Sequence, residues 1–197
     1  MRAAPWLAAA ALVASGEAAT QAPPAAAVAT PVAIVNPGFE SRVADGTLPS
    51  GWEFVQHAGP RSYEFSLDDK IVHGGKQSLR VDNIGRAPHG MVFQDLPVGE
   101  LRGRTLRLSA YVRTRDVTGN RYGGGAMLML QAVAQGSPFA DNHMREVAVH
   151  GTTEWTRYEV TLTLPPQTER IRVGAMVTGS GSVWLDDFVL EALPAAP

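Results

Sequence analysis

The chain has 197 residues, of which 17 are basic and 19 acidic, giving a formal net charge of −2 at pH 7, and it contains no cysteine. The even charge balance, without a Lys or Arg run, leaves no electrostatic footprint for nucleic acid; the missing cysteines exclude disulfides, thiolate metal sites, cysteine nucleophiles and an N-terminal Cys lipid anchor. Apolar residues at 45% and charged residues at 18% are ordinary globular usage and argue against disorder throughout and against a membrane bundle, while 20 Gly and 14 Pro announce many turns.

At the N-terminus Arg2 precedes the apolar run Trp6–Ala14, and small residues follow through Ala19. This is the pattern of an export signal, and the run is too short to span a bilayer. Residues 1–19 are therefore read as a signal peptide, with cleavage after Ala18 or Ala19, or alternatively at Ala25–Ala27. The mature protein is expected to be secreted or periplasmic; the competing reading is an Ala-rich disordered tail. Residues 20–31 hold three prolines and almost no large apolar group, so they read as a solvated linker. The folded domain is placed at 32–192, with a tail at 193–197.

From Val32 onward the hydrophobic period is two, the signature of half-buried strands. In Thr105–Arg113, Leu106, Leu108, Ala110 and Val112 share one face, and Arg107, Ser109, Tyr111 and Arg113 the other. Thr156–Leu164 and Arg170–Val177 repeat the pattern. Further strands are expected at Trp52–Gln56, Ser62–Leu67, Ser78–Asn83, Met91–Leu96, Ala126–Ala134, Arg145–Val149 and Ser182–Leu190, with Gly, Pro, Asn and Asp clusters between them. About ten strands and no long amphipathic helix imply an all-β fold of two packed antiparallel sheets, a β-sandwich or jelly roll.

Four motifs occur in order: Asn36-Pro37-Gly38-Phe39-Glu40, Leu48-Pro49-Ser50-Gly51-Trp52, His73 through Val81, and Val183 through Leu190 with its Asp186-Asp187 pair. This series resembles the CenC-type carbohydrate-binding modules among the galactose-binding-like jelly rolls and covers essentially all of Val32–Glu191. Asp141-Asn142-His143-Met144, Gly151–Val160 and Gly179–Asp187 are also similar to the accessory sandwich found beside tail-specific-type serine peptidases and in some bacterial regulators. The first resemblance implies a structural Ca2+ where the N-terminal motif meets the Asp-Asp strand. Its ligands would come from Glu40, the Gly38 carbonyl, carbonyls of the His73–Lys76 turn, and Asp186 or Asp187. Oxygen donors on irregular loops suit that ion; hydrogen bonds from the same carboxylates to turn amides, or pairing with Lys76 or Arg80, are the alternative.

Sugars dock on exposed aromatic faces flanked by hydrogen-bonding side chains. Trp52, Trp155 and Trp184 belong to strand motifs and read as core anchors. Tyr122, in a Gly-rich segment, and Phe139, Asp141, Asn142 and His143, in a loop read at Gln135–Met144, are the ligand-binding candidates, since loops carry function on such scaffolds. Arg113, on a polar strand face with Arg107 and Tyr111 and with Arg172 expected nearby, is a further candidate.

No catalytic constellation emerges. The histidines lack metalloprotease spacing, Gly-x-Ser-x-Gly is absent, and Gly123–Gly125 lacks a phosphate-loop lysine. Neighbours in a strand point to opposite faces, so neither Asp68-Asp69 nor Asp186-Asp187 is expected to bracket a glycosidic bond alone. The sequence thus points to an exported binding module for carbohydrate or a glycan-like polar ligand. A protein-interaction domain of the cell envelope is the alternative, and a glycoside hydrolase is third.

Overall fold

The computed structural model describes residues 28–44, 46, 48–57, 59–119 and 124–194. The signal-peptide reading at 1–19 and the candidate Tyr122 lie outside them.

Strands β1 (Thr30–Val32), β3 (Tyr63–Asp68), β4 (Ser78–Asn83), β6 (Thr105–Thr118), β9 (Gly151–Thr163) and β11 (Ser180–Ala192) form one sheet. Its order is β3-β4-β11-β6-β9, with β1 pairing on β11. Strands β2 (Glu53–Gln56), β5 (His89–Pro97), β7 (Ala126–Ala134), β8 (Ser137–Asn142) and β10 (Arg170–Thr178) form the second, in the order β2-β5-β10-β7-β8. Each strand pair within the two sheets is antiparallel. The expected sandwich is therefore present, and β1 opens inside the stretch read as linker.

The alternation sorts the strands as it should. Leu79, Leu106, Leu108 and Leu185 from the first sheet and Leu128, Leu130, Ile171 and Val173 from the second are all buried in one core. Burying such side chains is worth about 1.5–3 kcal/mol each and is the main force closing the sheets. At one end Phe39, Trp52 and Phe188 complete the core, with the Trp52 ring tilted against both Phe39 and Phe188 at a centroid distance of 5.0 Å. Asn36 and Phe39 take positive φ, the Trp52 indole donates to the Asn36 carbonyl at 2.9 Å, and the Phe188 amide donates to the Pro37 carbonyl at 3.0 Å. The N-terminal and C-terminal motifs are thus bolted together beneath the aromatic trio.

Two segments differ from expectation. Ser137–Asn142 is strand β8, not loop, because Gln135 and Gly136 both have positive φ and so form the two-residue hairpin turn that matches strand twist. Pro138 is tolerated there because β8 is an edge strand. Conversely, Arg145–Val149 is not a strand. Met144 turns with φ +50, Arg145–Val147 is one turn of 3-10 helix, and only Val149 bridges to Ala126.

Candidate functional site

Arg172 does not lie beside Arg107, Tyr111 and Arg113. Ile171 and Val173 point into the core, so Arg172 points out of β10 on the opposite sheet. There the register aligns Asp95 of β5, Arg172 of β10, Gln131 of β7 and Asp141 of β8 in a row across the outer face. Arg172 donates to both oxygens of Asp95, at 2.7 and 2.9 Å, and its guanidinium lies 4.0 Å from the Phe93 ring centroid. The hydrogen-bonded Asp95 carboxylate raises the Arg172 pKa above its usual value despite partial desolvation. Phe93 and Met129 form an adjacent buried apolar row, and Gly174 interposes no side chain between them. Gln131 is half-buried in the middle of the polar row, and its amide makes no hydrogen bond among the described residues. A polar group in that position is available to a ligand.

The row ends at a cleft of about 420 Å³ on the sandwich edge, lined by Asp141, Asn142, His143, Met144, Glu146, Val147, Thr161 and Leu162. Three of the residues singled out in the sequence therefore come together. The Asn142 amide donates to the Thr161 carbonyl at 3.0 Å, which ties β8 to β9 of the other sheet. The His143 ring contacts the Asp141 carboxylate. Phe139, at the register shift in β8, is 42% exposed. Carboxylates, an amide and an imidazole lining a groove, with an exposed ring two residues before Asp141 on the same strand, are groups that can bind the hydroxyls and C–H faces of a sugar.

Arg113 is not part of this group. It pairs with Glu154 at 3.0 Å, and lies six residues along β6 from Arg107, the partner of Thr161, a separation of about 20 Å. Its neighbourhood is a separate polar face around Trp184. That ring is buried on the outer side of the first sheet, outside the main core, and Arg80 and Arg115 lie 5.2 and 5.3 Å from its centroid. Its indole donates to Asp68 at 2.8 Å. Trp155 is half-buried and sits edge-on to His73, so of the three tryptophans only Trp52 fills the main core.

The residues proposed as metal ligands do converge. The alternation that would part Asp186 from Asp187 fails at a register shift, where Asp187 adopts φ +49. A Cβ placed on Gly38 would lie 3.3 Å from Asp187 Oδ1 and 3.6 Å from Asp186 Oδ1, and one on Gly75 would lie 2.2 Å from Glu40 Oε1. Glycines at these points leave a cradle walled by three carboxylates. Asp186 is fully buried and accepts the amides of His73, Gly74 and Asp187, and burial pushes its pKa up to about 6. Glu40 accepts the amides of Lys76 and Gln77, so Lys76 contributes its backbone and not its ammonium. His73 bonds Asp187 at 2.6 Å and stacks on Tyr111 at 3.5 Å. Among the described residues, acidic and histidine side chains do not by themselves form a metal-ligand cluster. A hard cation would therefore depend on Glu40, Asp187 and backbone carbonyls, a donor set that fits Ca2+.

Asp95 and Gln131 carry no local signal in the sequence, and Arg172, expected near Arg107, lies on the other sheet. The outward phase of each strand was readable, but which strands are neighbours was not.

No protein-family model matches the chain. In sequence it is similar to an uncharacterized HTH-type transcriptional regulator, YbfP, of Bacillus subtilis (strain 168), with 28% identity over 146 residues, 72% of this chain and 47% of that protein. The chain thus spans about half the length of the curated relative it matches. Among solved structures it is similar to the Stig cyclase Fisc from Fischerella sp. TAU, with a TM-score of 0.58 and 16% identity over 86% of this chain and 100% of that one. It is also similar to a family 16 carbohydrate-binding module, at 0.53 and 18% over 80% and 97% of the chains. The CBM22-1 xylan-binding domain of Paenibacillus barcinonensis Xyn10C gives 0.51 and 15% over 86% and 100%. At these identities the shared property is the fold: the chain is a two-sheet jelly-roll sandwich whose structural neighbours include carbohydrate-binding modules.

Proposed function

We propose that this sandwich is a non-catalytic saccharide-binding module that acts outside the cytoplasm, with its ligand lying along the Asp95–Arg172–Gln131–Asp141 row and into the edge cleft. The observation that carries the reading is the unpartnered Gln131 amide, half-buried between an ion pair and a groove that holds Asp141, Asn142 and His143. Fixed polar groups beside apolar surface are what a pyranose needs. The xylan-binding and family 16 modules that share the fold support the same reading. Export is supported by Arg2 and the apolar run Trp6–Ala14. A structural Ca2+ held by Glu40, Asp187, the Gly38 carbonyl and carbonyls of the 73–76 turn would neutralise the carboxylates that pin the two termini together.

Affinity electrophoresis through gels containing xylan, β-1,4-galactan or mixed-linkage β-glucan tests the reading. Retardation of the protein by one polymer, lost in Gln131→Ala, is the expected result. Free migration through all of them would instead favour the accessory, protein-contacting role, which the partial match to a longer regulator supports.

A further inference from the structure

A second cavity, of about 350 Å³, lies in the first turn region of the sandwich, between the β2–β3 and β4–β5 connections. Pro60, Arg61 and Ser62 line one side and Gly85, Arg86, Ala87 and Pro88 the other. None of these residues belongs to the polar row, the edge cleft or the carboxylate cradle.

Its walls are cross-braced. Ser62 is buried, donates its hydroxyl to the Pro60 carbonyl at 2.9 Å and accepts the Arg86 amide at 3.1 Å. The Ile84 amide donates to the Ser62 carbonyl at 2.8 Å, and Gln56 accepts the amides of Ser62 and Tyr63. Gly85 packs so closely on Ser62 that a Cβ there would approach its hydroxyl to 2.5 Å. The two turns therefore hold a fixed separation.

The lining residues are two prolines and an alanine together with Ser62, Gly85 and two arginines. Arg61 is engaged by Glu64 at 3.0 Å, whereas the exposed Arg86 guanidinium makes no ion pair among the described residues. Small-molecule sites have this size and makeup, a mostly apolar enclosure with few orienting polar groups. An unpaired arginine at the rim selects a carboxylate, which its planar fork binds through two charge-assisted hydrogen bonds.

We propose that this cavity binds a small, flat or flexible apolar molecule carrying one carboxylate, with the apolar body against Pro60, Ala87 and Pro88 and the carboxylate on Arg86. This site is independent of saccharide binding and stands or falls separately from it.

The test is a titration of the 15N-labelled protein with 4-phenylbutyrate and, in parallel, with its neutral amide. The expected result is saturable shifts of the Ser62, Gly85, Arg86 and Ala87 amides, a dissociation constant about tenfold weaker for the neutral amide, and a similar loss in Arg86→Gln. Because Arg86 is exposed, the variant keeps the fold, which its spectrum verifies directly. Absence of shifts at those amides up to about 10 mM, the weak end of measurable binding, would overturn the proposal. Equal affinity for acid and neutral amide, or an unchanged constant in Arg86→Gln, would overturn it as well.

Discussion

Arg172 and Asp95 face each other across β10 and β5, joined by two hydrogen bonds and floored by the Phe93 ring. Their side chains are only 18% and 15% exposed, so neither charge is well solvated alone. Asp95→Ala leaves the guanidinium unpaired and is expected to cost about 2 kcal/mol in urea unfolding, less than the loss from a fully buried pair. Loss of saccharide affinity should accompany it, since the displaced arginine no longer borders Gln131.

The pH dependence of stability should carry the mark of Asp186. Its pKa is about 6 in the folded protein, against an ordinary value of 3.8, so the folded state holds the proton more tightly than the unfolded chain does. Through this group stability is greatest below pH ~4 and declines as pH rises through ~6, by up to about 3 kcal/mol. Urea unfolding in the presence of EDTA across that range should show the decline, and Asp186→Asn should flatten it.

Millimolar Ca2+ should raise the melting temperature, because an ion that binds only the native state stabilises it by mass action, by about 2.7 kcal/mol at a hundredfold excess over its dissociation constant. Glu40→Gln and Asp187→Asn should each abolish the shift. Identical melting curves in Ca2+ and in chelator would argue that the cradle is held by hydrogen bonds alone.

Gly75 and Gly103 both have positive φ, at +63 and +74, but differ in surroundings. A Cβ on Gly103 meets nothing within 4 Å, whereas one on Gly75 collides with Glu40. Gly103→Ala is expected to cost about 1 kcal/mol of backbone strain, and Gly75→Ala distinctly more, by chemical denaturation.

Expression of the full chain in a Gram-negative host should deliver a processed protein to the periplasm, and N-terminal sequencing should begin at Ala19 or Thr20, or near Val28. Retention of an intact Met1 in the cytoplasm would contradict export.

Strand phase was legible in the residues because one face of each sheet is oily and the other wet, as Leu106 and Arg107 illustrate. Strand neighbours were not, since β5, β10 and β7 are brought together by long-range pairing that no local pattern encodes, and the hairpin that joins β7 to β8 carries only a weak turn signal. That is why Asp141 was found and its row-mate Gln131 was not. Two further features escaped for local reasons. The Gln135-Gly136 turn is a weaker hairpin signal than Asn-Gly. The register shift at Asp187 reverses a side chain that simple alternation sends to the opposite face. Trp184 reads as core because a buried tryptophan on a sheet face, covered by Arg80 and Arg115, has the same sequence signature as one between the sheets.

Isothermal titration of the oligosaccharide from whichever polymer retards the protein, into wild type, Gln131→Ala and Asp141→Ala, tests the binding row most directly. The account predicts a dissociation constant at least about tenfold weaker in both variants, with unfolding midpoints unchanged. Wild-type affinity in both would contradict it.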